Sequence, residues 1–209
     1  MEEVEGKDVV IRFDGKRCIH ARHCVLQRPE VFVPNVQGAW IHPDAARAEE
    51  VAAVAQQCPS GAITYVRKDG APDERPPVVN LVRVREHGPY ALWGELTVDG
   101  EPMLRATLCR CGASKRKPFC DGSHQASGFH ATGEPATRES QPLAARAGPL
   151  EVTPRPDGPL VVKGNLEIVS GTGRTIDRVT KATLCRCGHS GTKPFCDGTH
   201  ARVGFKSTP

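Results

Sequence analysis

Aromatic and apolar side chains are scarce in this chain of 209 residues. It contains 6 Phe, 2 Tyr and 2 Trp, and its hydrophobic fraction is only 38%. Glycine and proline are frequent by comparison, with 21 and 18 residues. Burial of apolar surface is the main force that folds a globular domain. A large apolar core is therefore not expected, and other interactions must hold parts of the chain together.

Membrane segments, targeting segments and several kinds of active site are also missing from the sequence. No run approaches the ~18 consecutive apolar residues of a membrane-spanning helix, and residues 1–7 are acidic and polar, unlike a secretion signal or transit peptide. The net charge is only +4, and few aromatics lie among the basic residues. No catalytic Ser/His/Asp set, phosphate loop or dinucleotide fingerprint occurs. We therefore expect a soluble, cytoplasmic protein that is not an enzyme and binds neither membranes nor nucleic acid.

Cysteine, in contrast, is abundant, with nine residues. An odd number of cysteines in a chain without a secretion signal argues against a disulfide framework, because cytosolic thiols stay reduced. Clustered cysteines in such a chain indicate metal ligands or catalytic groups. They form three groups of three, which are Cys18, Cys24 and Cys58, then Cys109, Cys111 and Cys120, then Cys185, Cys187 and Cys196.

The second and third groups belong to an internal repeat. Residues 106–112 recur at 182–188, and residues 117–124 recur at 193–200, both at an offset of 76. Upstream the offset is 70, so the second copy has six extra residues, within Val169 to Lys181. We interpret them as a loop insertion between two strands. Internal repeats usually correspond to structural units, and three domains are predicted, at residues 1–70, 78–130 and 150–209.

Local patterns predict an α+β protein. In the first domain, residues 9–13 and 62–66 are predicted as strands and residues 44–57 as one helix. The repeats are predicted to be mostly β, and Asp121 and Asp197 to N-cap short helices. Short strands separated by turns are predicted at residues 78–84, 90–93 and 96–98, and again at 160–163 and 166–169.

Each repeat presents three thiols and one imidazole in the pattern Cys-x-Cys-x8-Cys-x3-His. Such a set suits either zinc or an iron–sulfur cluster. The Cys-x-Cys spacing favours the cluster, because structural zinc sites typically use cysteine pairs two to four residues apart. The predicted ligands are Cys109, Cys111, Cys120 and His124 in the first copy, and Cys185, Cys187, Cys196 and His200 in the second.

Both copies resemble the CDGSH (NEET) iron–sulfur proteins, whose pattern is Cys-x-Cys-x2-Ser/Thr-x3-Pro-x-Cys-Asp-Gly-x-His. Ser114 and Pro118 fit this pattern in the first copy, and Ser190 and Pro194 fit it in the second, which carries Thr199 where serine is commoner. The resemblance implies a [2Fe–2S] cluster in each copy, ligated by three cysteines and one histidine. Family members usually dimerise through swapped strands, so the resemblance implies that this tandem chain is a monomer with an internal pseudo-dimer.

The first cysteine group resembles a ferredoxin motif with one ligand missing. Bacterial ferredoxins use Cys-x2-Cys-x2-Cys with a distant Cys-Pro. Cys18 and Cys24 take the first and third positions, and Cys58 precedes Pro59, but Ala21 takes the second position and cannot bind iron. Either a [3Fe–4S] cluster binds to the three cysteines, or a [4Fe–4S] cluster has another fourth ligand, for which His20 and His23 are candidates.

Residues 9–66 as a whole are similar to the divergent single-cluster ferredoxin domain often fused to CDGSH modules. This resemblance implies a small ferredoxin-like α+β module at the N-terminus. The sequence thus predicts a three-cluster protein that passes single electrons between redox partner proteins. Two alternatives stay open. In the first, the protein is a carrier or sensor that delivers labile [2Fe–2S] clusters to apo-proteins. In the second, it is a structural zinc protein.

Overall fold

The computed structural model describes residues 1–208, which divide after Arg75 into two units. Every helix within these residues is too short or too polar to cross a membrane. The secondary structure is mostly sheet with a few short helices, which agrees with the predicted α+β class. The division into three domains stays a prediction, and the last residue of the third, residue 209, lies outside the described residues.

A three-stranded antiparallel sheet forms the base of the first unit. Its strands, in the order β1-β2-β3 across the sheet, are β1 (Glu2–Glu5), β2 (Val9–Phe13) and β3 (Ile63–Arg67). Alternate residues of a strand face the same side, and Val9 and Ile11 accordingly lie buried on one face of β2. They pack in one apolar cluster with Val51 and Val54. The predicted strand 9–13 is confirmed, and the predicted strand 62–66 is shifted by one residue.

The single helix predicted over residues 44–57 is wrong at its start. A 3-10 turn occupies Pro43–Ala45, the backbone of Ala46 is extended, and helix α2 spans Ala48–Gln56. The carboxylate of Glu50 accepts a hydrogen bond from the Arg47 backbone N–H at 3.2 Å. A reciprocal capping arrangement of this kind satisfies the free N–H groups at a helix start, so a new helix begins after Arg47. Helix α1 (His23–Gln27) was not predicted.

The second unit contains three strands from each copy of the repeat. The first copy supplies β4 (Leu81–Val84), β5 (Tyr90–Val98) and β6 (Glu101–Leu108), and the second copy supplies β7 (Pro149–Pro154), β8 (Leu160–Val169) and β9 (Thr175–Leu184). Helix α3 (Ser123–Ala126) follows β6, and α4 (Thr199–Arg202) follows β9. The order of elements is therefore the same in both copies.

Strands of the two copies pair with each other in one sheet. Within each copy the three strands pair in antiparallel hairpins, β4 with β5 and β5 with β6, and β7 with β8 and β8 with β9. Between copies β5 pairs with β7 and β4 pairs with β8, both in parallel. The first strand of each copy thus bonds to its own second strand and to the second strand of the other copy.

Two β-bulges replace turns that the sequence predicted. Residues 90–93 and 96–98 form one strand with a register shift between Trp93 and Leu96, and β8 has its counterpart between Lys163 and Leu166. Each bulge contains a glycine, Gly94 or Gly164, and glycine tolerates the irregular backbone and close approach that a bulge requires. A Cβ on Gly164 would lie 2.3 Å from the carbonyl oxygen of Pro149. On one edge the strand changes its partner at the bulge, since β5 pairs with β4 before it and with β7 after it, and β8 pairs with β7 before it and with β4 after it.

The extra residues of the second copy lie near a hairpin turn, in agreement with the predicted loop insertion. In the first copy only Asp99 and Gly100 separate β5 from β6. In the second copy residues 170–174 separate β8 from β9. Two hydrogen bonds close the longer turn: the Ser170 N–H donates to the Arg174 carbonyl oxygen at 2.8 Å, and the Arg174 N–H donates to the Ser170 Oγ at 3.1 Å.

The apolar core of the second unit is larger than the composition suggested. Seventeen buried residues form one contiguous cluster, eight from the first copy and nine from the second. It includes Leu92 and Leu108 on one side and Leu160 and Ile168 on the other, all at 1% exposure or less. Small domains bury a smaller share of their surface than larger ones. By sharing one sheet, the two copies obtain a core that neither would have alone.

Candidate metal centres

The predicted ligands of the first copy lie in the first cysteine loop, residues 109–124, which leaves the end of β6. The Sγ atoms of Cys109 and Cys111 are 3.8 Å apart. The chain then returns to the same strand, because the Cys120 N–H bonds to the Thr107 carbonyl at 2.9 Å. Helix α3 places His124 so that its Nδ1 lies 3.6 Å from the Cys120 Sγ. The loop thus presents two pairs of donors.

The second cysteine loop, residues 185–200, repeats this geometry. The Sγ atoms of Cys185 and Cys187 are 3.7 Å apart, and the Cys196 Sγ lies 3.4 Å from the His200 Nδ1. In both loops the imidazole is partly exposed, whereas the first cysteine, Cys109 or Cys185, is only 1% exposed. The histidine is therefore on the solvent side of each ligand set.

These spacings fit two donors on one metal ion. A tetrahedral ion bound at ~2.3 Å to each sulfur holds two thiolates about 3.8 Å apart. Within residues 1–208, no three His, Cys, Asp or Glu side chains are grouped closely enough to hold a single metal ion. In each loop the four donors are therefore arranged as two pairs.

Serine and aspartate side chains of the motif hold each loop in shape. In the first loop, Ser114 donates to the Phe119 carbonyl at 2.6 Å, and the Asp121 carboxylate accepts from the N–H groups of Lys115 at 2.8 Å and Ser123 at 3.0 Å. The second loop has equivalent contacts through Ser190 and Asp197. These bonds satisfy backbone groups that no regular element would satisfy, so the loops keep their shape without secondary structure.

The predicted N-caps are wrong by one residue. Gly122 and Gly198 take the N-cap positions of α3 and α4, with φ angles of 87° and 85°. A positive φ angle favours glycine, which has no Cβ. The aspartate before each glycine still supplies the capping oxygen, because it accepts from the N–H of Ser123 or Thr199.

Backbone N–H groups point at the sulfur atoms of both loops. The N–H of Ala113 lies 3.4 Å from the Cys111 Sγ, and that of Gly122 lies 3.4 Å from the Cys120 Sγ. His189 and Gly198 make the same contacts with Cys187 and Cys196 at 3.4 Å. Such donors stabilise thiolates and tune the potential of an iron–sulfur site.

Thiol ionisation in the first loop is shaped by the close sulfur pair. The hydrogen bond from Cys111 lowers the pKa of Cys109 to about 6, and the same bond raises the pKa of Cys111. Burial raises the pKa of Cys120 to about 11, and the negative charge of Cys109 adds to this rise. A metal binds the thiolate rather than the thiol.

The two cysteine loops touch each other through glycine. A Cβ on Gly112 would lie 2.6 Å from the Cys187 carbonyl oxygen, and a Cβ on Gly188 would lie 2.6 Å from that of Cys111. Both glycines also have positive φ angles, 84° and 85°. A cavity of about 490 Å³ lies beside this contact, lined by residues of both loops. The two candidate centres are thus in reciprocal contact through their backbones.

Sequence reasoning missed three buried side chains around the loops. Arg110 and Arg186, between the two cysteines of each Cys-x-Cys, are 1% and 3% exposed. Tyr90 is fully buried, and its hydroxyl lies 2.9 Å from the Cys185 carbonyl oxygen and 2.8 Å from that of Pro194. The arginines recur at the repeat offset between two predicted ligands, which was a usable signal. Tyr90 gave no such signal, because the corresponding residue of the second copy is Leu160.

In the first unit, all three predicted cysteines line one cavity of about 510 Å³. Cys18 follows β2, Cys24 lies in α1 and Cys58 follows α2. The cavity is also lined by His20, Ala21 and His23, as the ferredoxin-like motif predicts. Apolar side chains also line it, including Phe13 and Trp40, whose rings meet edge to face with their centres 4.8 Å apart.

Burial and mutual charge affect the thiols of this cavity. Burial raises the pKa of Cys18 and of Cys24, and the charge of Cys58 raises both further. The cysteines are therefore close enough to interact electrostatically. A cation that binds all three would remove this repulsion. The cavity can thus hold a positively charged iron–sulfur core, with an apolar wall and three thiolates.

Comparison with protein families agrees with this geometry. The family described as "Iron-binding zinc finger CDGSH type" matches residues 87–125 and 157–201. The chain is a tandem CDGSH protein. The family described as "Divergent 4Fe-4S mono-cluster" matches residues 4–68, so this CDGSH protein carries a divergent single-cluster domain at its N-terminus. Both resemblances predicted from the sequence are confirmed, and the protein binds iron–sulfur clusters. No curated protein matches the chain.

Proposed function

We propose that this CDGSH protein is a one-electron carrier with two [2Fe–2S] clusters and one larger cluster. Each cluster, when bound, supplies the chemistry of accepting and releasing a single electron. The protein contributes the ligands, the hydrogen bonds to sulfur and the degree of exposure to solvent. The observation that carries this proposal is the arrangement of each CDGSH ligand set as two pairs of donors.

A pair of donors for each of two iron atoms is what a dinuclear cluster needs. In the first loop, Cys109 and Cys111 would hold one iron, and Cys120 and His124 the other, with pair distances of 3.8 and 3.6 Å. A structural zinc ion instead takes all four donors. The paired arrangement supports the cluster and argues against the alternative of a structural zinc protein.

The N-terminal cavity supports a cluster of three or four iron atoms. Cys18, Cys24 and Cys58 supply three thiolates, and Ala21 stands where a fourth would be. We propose either a [3Fe–4S] cluster or a [4Fe–4S] cluster whose fourth ligand is His20 or His23. The match to a divergent 4Fe-4S family favours the second.

We propose that the two CDGSH copies form an internal pseudo-dimer and that the chain is a monomer. The parallel pairs β4–β8 and β5–β7 exchange strand contacts between the copies in a symmetric manner. The reciprocal contacts of Gly112 and Gly188 follow the same symmetry. For the N-terminal unit we propose a ferredoxin-like module, supported by its small sheet, its α2 helix and its cysteine cavity.

Anaerobic iron and sulfide analysis with EPR spectroscopy tests the cluster content. We expect iron and sulfide for two [2Fe–2S] clusters and one larger cluster in the purified protein. An EPR signal in the oxidised state would assign [3Fe–4S]. A fast-relaxing signal that appears on reduction, in addition to the signals of the two reduced [2Fe–2S] clusters, would assign [4Fe–4S]. A colourless protein with one zinc ion per CDGSH copy would refute the proposal.

Electron transfer itself is tested by kinetics. The clusters should be reduced by a ferredoxin reductase and reoxidised by a one-electron acceptor protein, with every cluster returning intact over repeated cycles. The matched control is Cys58→Ala, which removes a ligand of the N-terminal cluster and leaves both CDGSH loops unchanged. Loss of cluster during each cycle would contradict the proposal of a stable carrier.

A second candidate function is delivery of [2Fe–2S] clusters to apo-proteins. The partly exposed positions of His124 and His200 favour it, because an acceptor protein can reach one imidazole in each ligand set from the solvent. Incubation with an apo-ferredoxin distinguishes the two functions. Transfer within minutes and without reductant would support delivery. We further propose that the protein is not an enzyme, is located in the cytoplasm and binds redox partners or apo-acceptors rather than nucleic acid.

A further inference from the structure

Two buried arginines in the second unit lack an acidic partner. Arg110 donates to the carbonyl oxygens of Arg85 at 2.8 Å and Thr132 at 2.6 Å. Arg186 donates to those of Gly158 at 3.0 Å and Arg155 at 2.6 Å. Among residues 1–208, no carboxylate forms an ion pair with either guanidinium. A buried charge without a counter-charge is costly, so these residues need a source of negative charge.

Arg110 reaches the second copy through Tyr90. The Sγ atoms of Cys109 and Cys111 lie 3.8 Å apart, so both thiols face one side of the loop. The guanidinium of Arg110, between them in sequence, lies 5.8 Å from the ring centre of Tyr90 and 5.7 Å from that of Phe129. The hydroxyl of Tyr90 bonds to the Cys185 carbonyl at the start of the second loop. Through Tyr90, Arg110 is thus connected to the start of the other copy's cysteine loop.

We propose that Arg110 and Arg186 are positioning residues that supply cross-copy charge compensation, each to the cluster of the other copy. Three thiolates and a [2Fe–2S] core carry one net negative charge when oxidised and two when reduced. A buried cation nearby stabilises the reduced form more strongly. The inference rests on the proposed function only in requiring a [2Fe–2S] cluster in each copy.

Electrostatic interactions between the copies support this assignment. Burial lowers the pKa of Arg186, and the charge of Cys109 in the other copy opposes this lowering more strongly than Asp99 or Asp157. Burial also lowers the pKa of Arg110, and Tyr90 and then Cys185 oppose this more strongly than Glu86. For each arginine the cysteine concerned, Cys109 or Cys185, is the first predicted ligand of the other copy's loop.

The experiment needs two clusters that can be told apart. In a His124→Cys background the first cluster has four thiolate ligands, and only the second retains a nitrogen ligand that pulsed EPR detects. Addition of Arg110→Gln should make the potential of the histidine-ligated second cluster more negative and accelerate its loss, with a smaller effect on the first. Arg110→Lys, which keeps the charge, should restore the potential. Lys115→Gln, an exposed charge on the same loop, is the matched control and should move neither cluster.

The reciprocal experiment uses His200→Cys with Arg186→Gln, and the first cluster should then respond. A shift confined to the arginine's own copy, or an equal shift in both clusters, would overturn the inference. Failure of both Arg110→Gln and Arg110→Lys to retain clusters would also overturn it, because packing rather than charge would then be the cause. Absence of both clusters from the unsubstituted protein would instead refute the proposed function.

Discussion

Replacement of Gly112 by alanine tests the contact between the two cysteine loops. The new Cβ would lie 2.6 Å from the Cys187 carbonyl oxygen and 3.0 Å from its carbon. Both atoms are backbone, so neither can rotate aside. Gly122 offers a matched comparison in the same loop. Its φ angle of 87° is close to the 84° of Gly112, yet a Cβ there would meet nothing within 4 Å.

The two substitutions share one cost and differ in another. An alanine held at a positive φ angle costs roughly 1–2 kcal/mol, and this applies to Gly112→Ala and Gly122→Ala alike. Only Gly112→Ala also forces the loops apart, and overpacking of this kind costs typically ~1–3 kcal/mol. We therefore expect Gly112→Ala to reduce the free energy of unfolding by about 1–3 kcal/mol more than Gly122→Ala does.

Urea unfolding of the holo-protein measures this difference. The chain has one tryptophan in each unit, Trp40 and Trp93, so a Trp40→Phe background leaves Trp93 fluorescence as a reporter of the second unit. The equivalent pair in the second loop, Gly188→Ala and Gly198→Ala, should show the same difference, because Gly188 meets Cys111 and Gly198 meets nothing. Equal destabilisation within both pairs would refute the inter-loop contact.

Three further predictions concern other parts of the second unit. Asn80 is fully buried and donates to the carbonyl oxygens of Gly148 at 2.8 Å and Asn165 at 2.9 Å. Asn80→Ala should lower the free energy of unfolding in urea by roughly 2–4 kcal/mol, because it leaves two acceptors without a partner. Substitution of an exposed residue, Gln125→Ala, should lower it little. A hydrogen bond from Lys206 helps to hold the pKa of Asp157 at about 2, below the unfolded value of ~3.9. The stabilising contribution of the Asp157 carboxylate is therefore present above about pH 4 and lost as the pH falls toward 2. Amide hydrogen exchange at Ser207, whose N–H bonds to Asp157, should become faster over this range. In the Asp157→Asn variant the Ser207 amide should already exchange fast at neutral pH. Removal of iron with a chelator should open the cysteine loops to proteolysis but leave the sheet signal in far-UV circular dichroism, because the shared core contains no metal ligand; collapse of that signal would contradict this.

The grouping of the candidate ligands was predictable because it is local in sequence. Cys-x-Cys and Cys-x3-His place donors within a few residues of each other, and the repeat showed the pattern twice. The strand Val9–Phe13 was predictable for the same reason, since alternation of apolar residues is a short-range signal. Irregularities at Gly94 and Ala46 were predicted less well. A glycine in a strand pattern signals a turn as readily as a bulge, and the choice depends on which strand pairs on either side.

The pairing between copies could not be read from the sequence. Strands β5 and β7 meet because two distant segments bury apolar faces together, and composition alone suggested too little apolar surface for this. Tyr90 and Arg110 share the same difficulty. The two carbonyl partners of the Tyr90 hydroxyl lie 95 and 104 residues away in sequence. Arg110 is connected to the other copy only through Tyr90, so only the folded chain shows these contacts. Long-range packing decides such contacts, and local propensity carries no information on it.

The hydroxyl of Tyr90 has a consequence for the directionality of the molecule. In an assembly of two identical chains, every contact of one half is duplicated in the other. In this single chain the Tyr90 hydroxyl bonds to Cys185 and Pro194, while its counterpart, Leu160, has no hydroxyl to offer Cys109 and Pro118. Fusion of the halves has thus broken their equivalence. With one additional hydrogen-bond donor beside only one of them, the surroundings of the two cysteine loops differ, and in the electron carrier that we propose an electron shared between their clusters would have a preferred side.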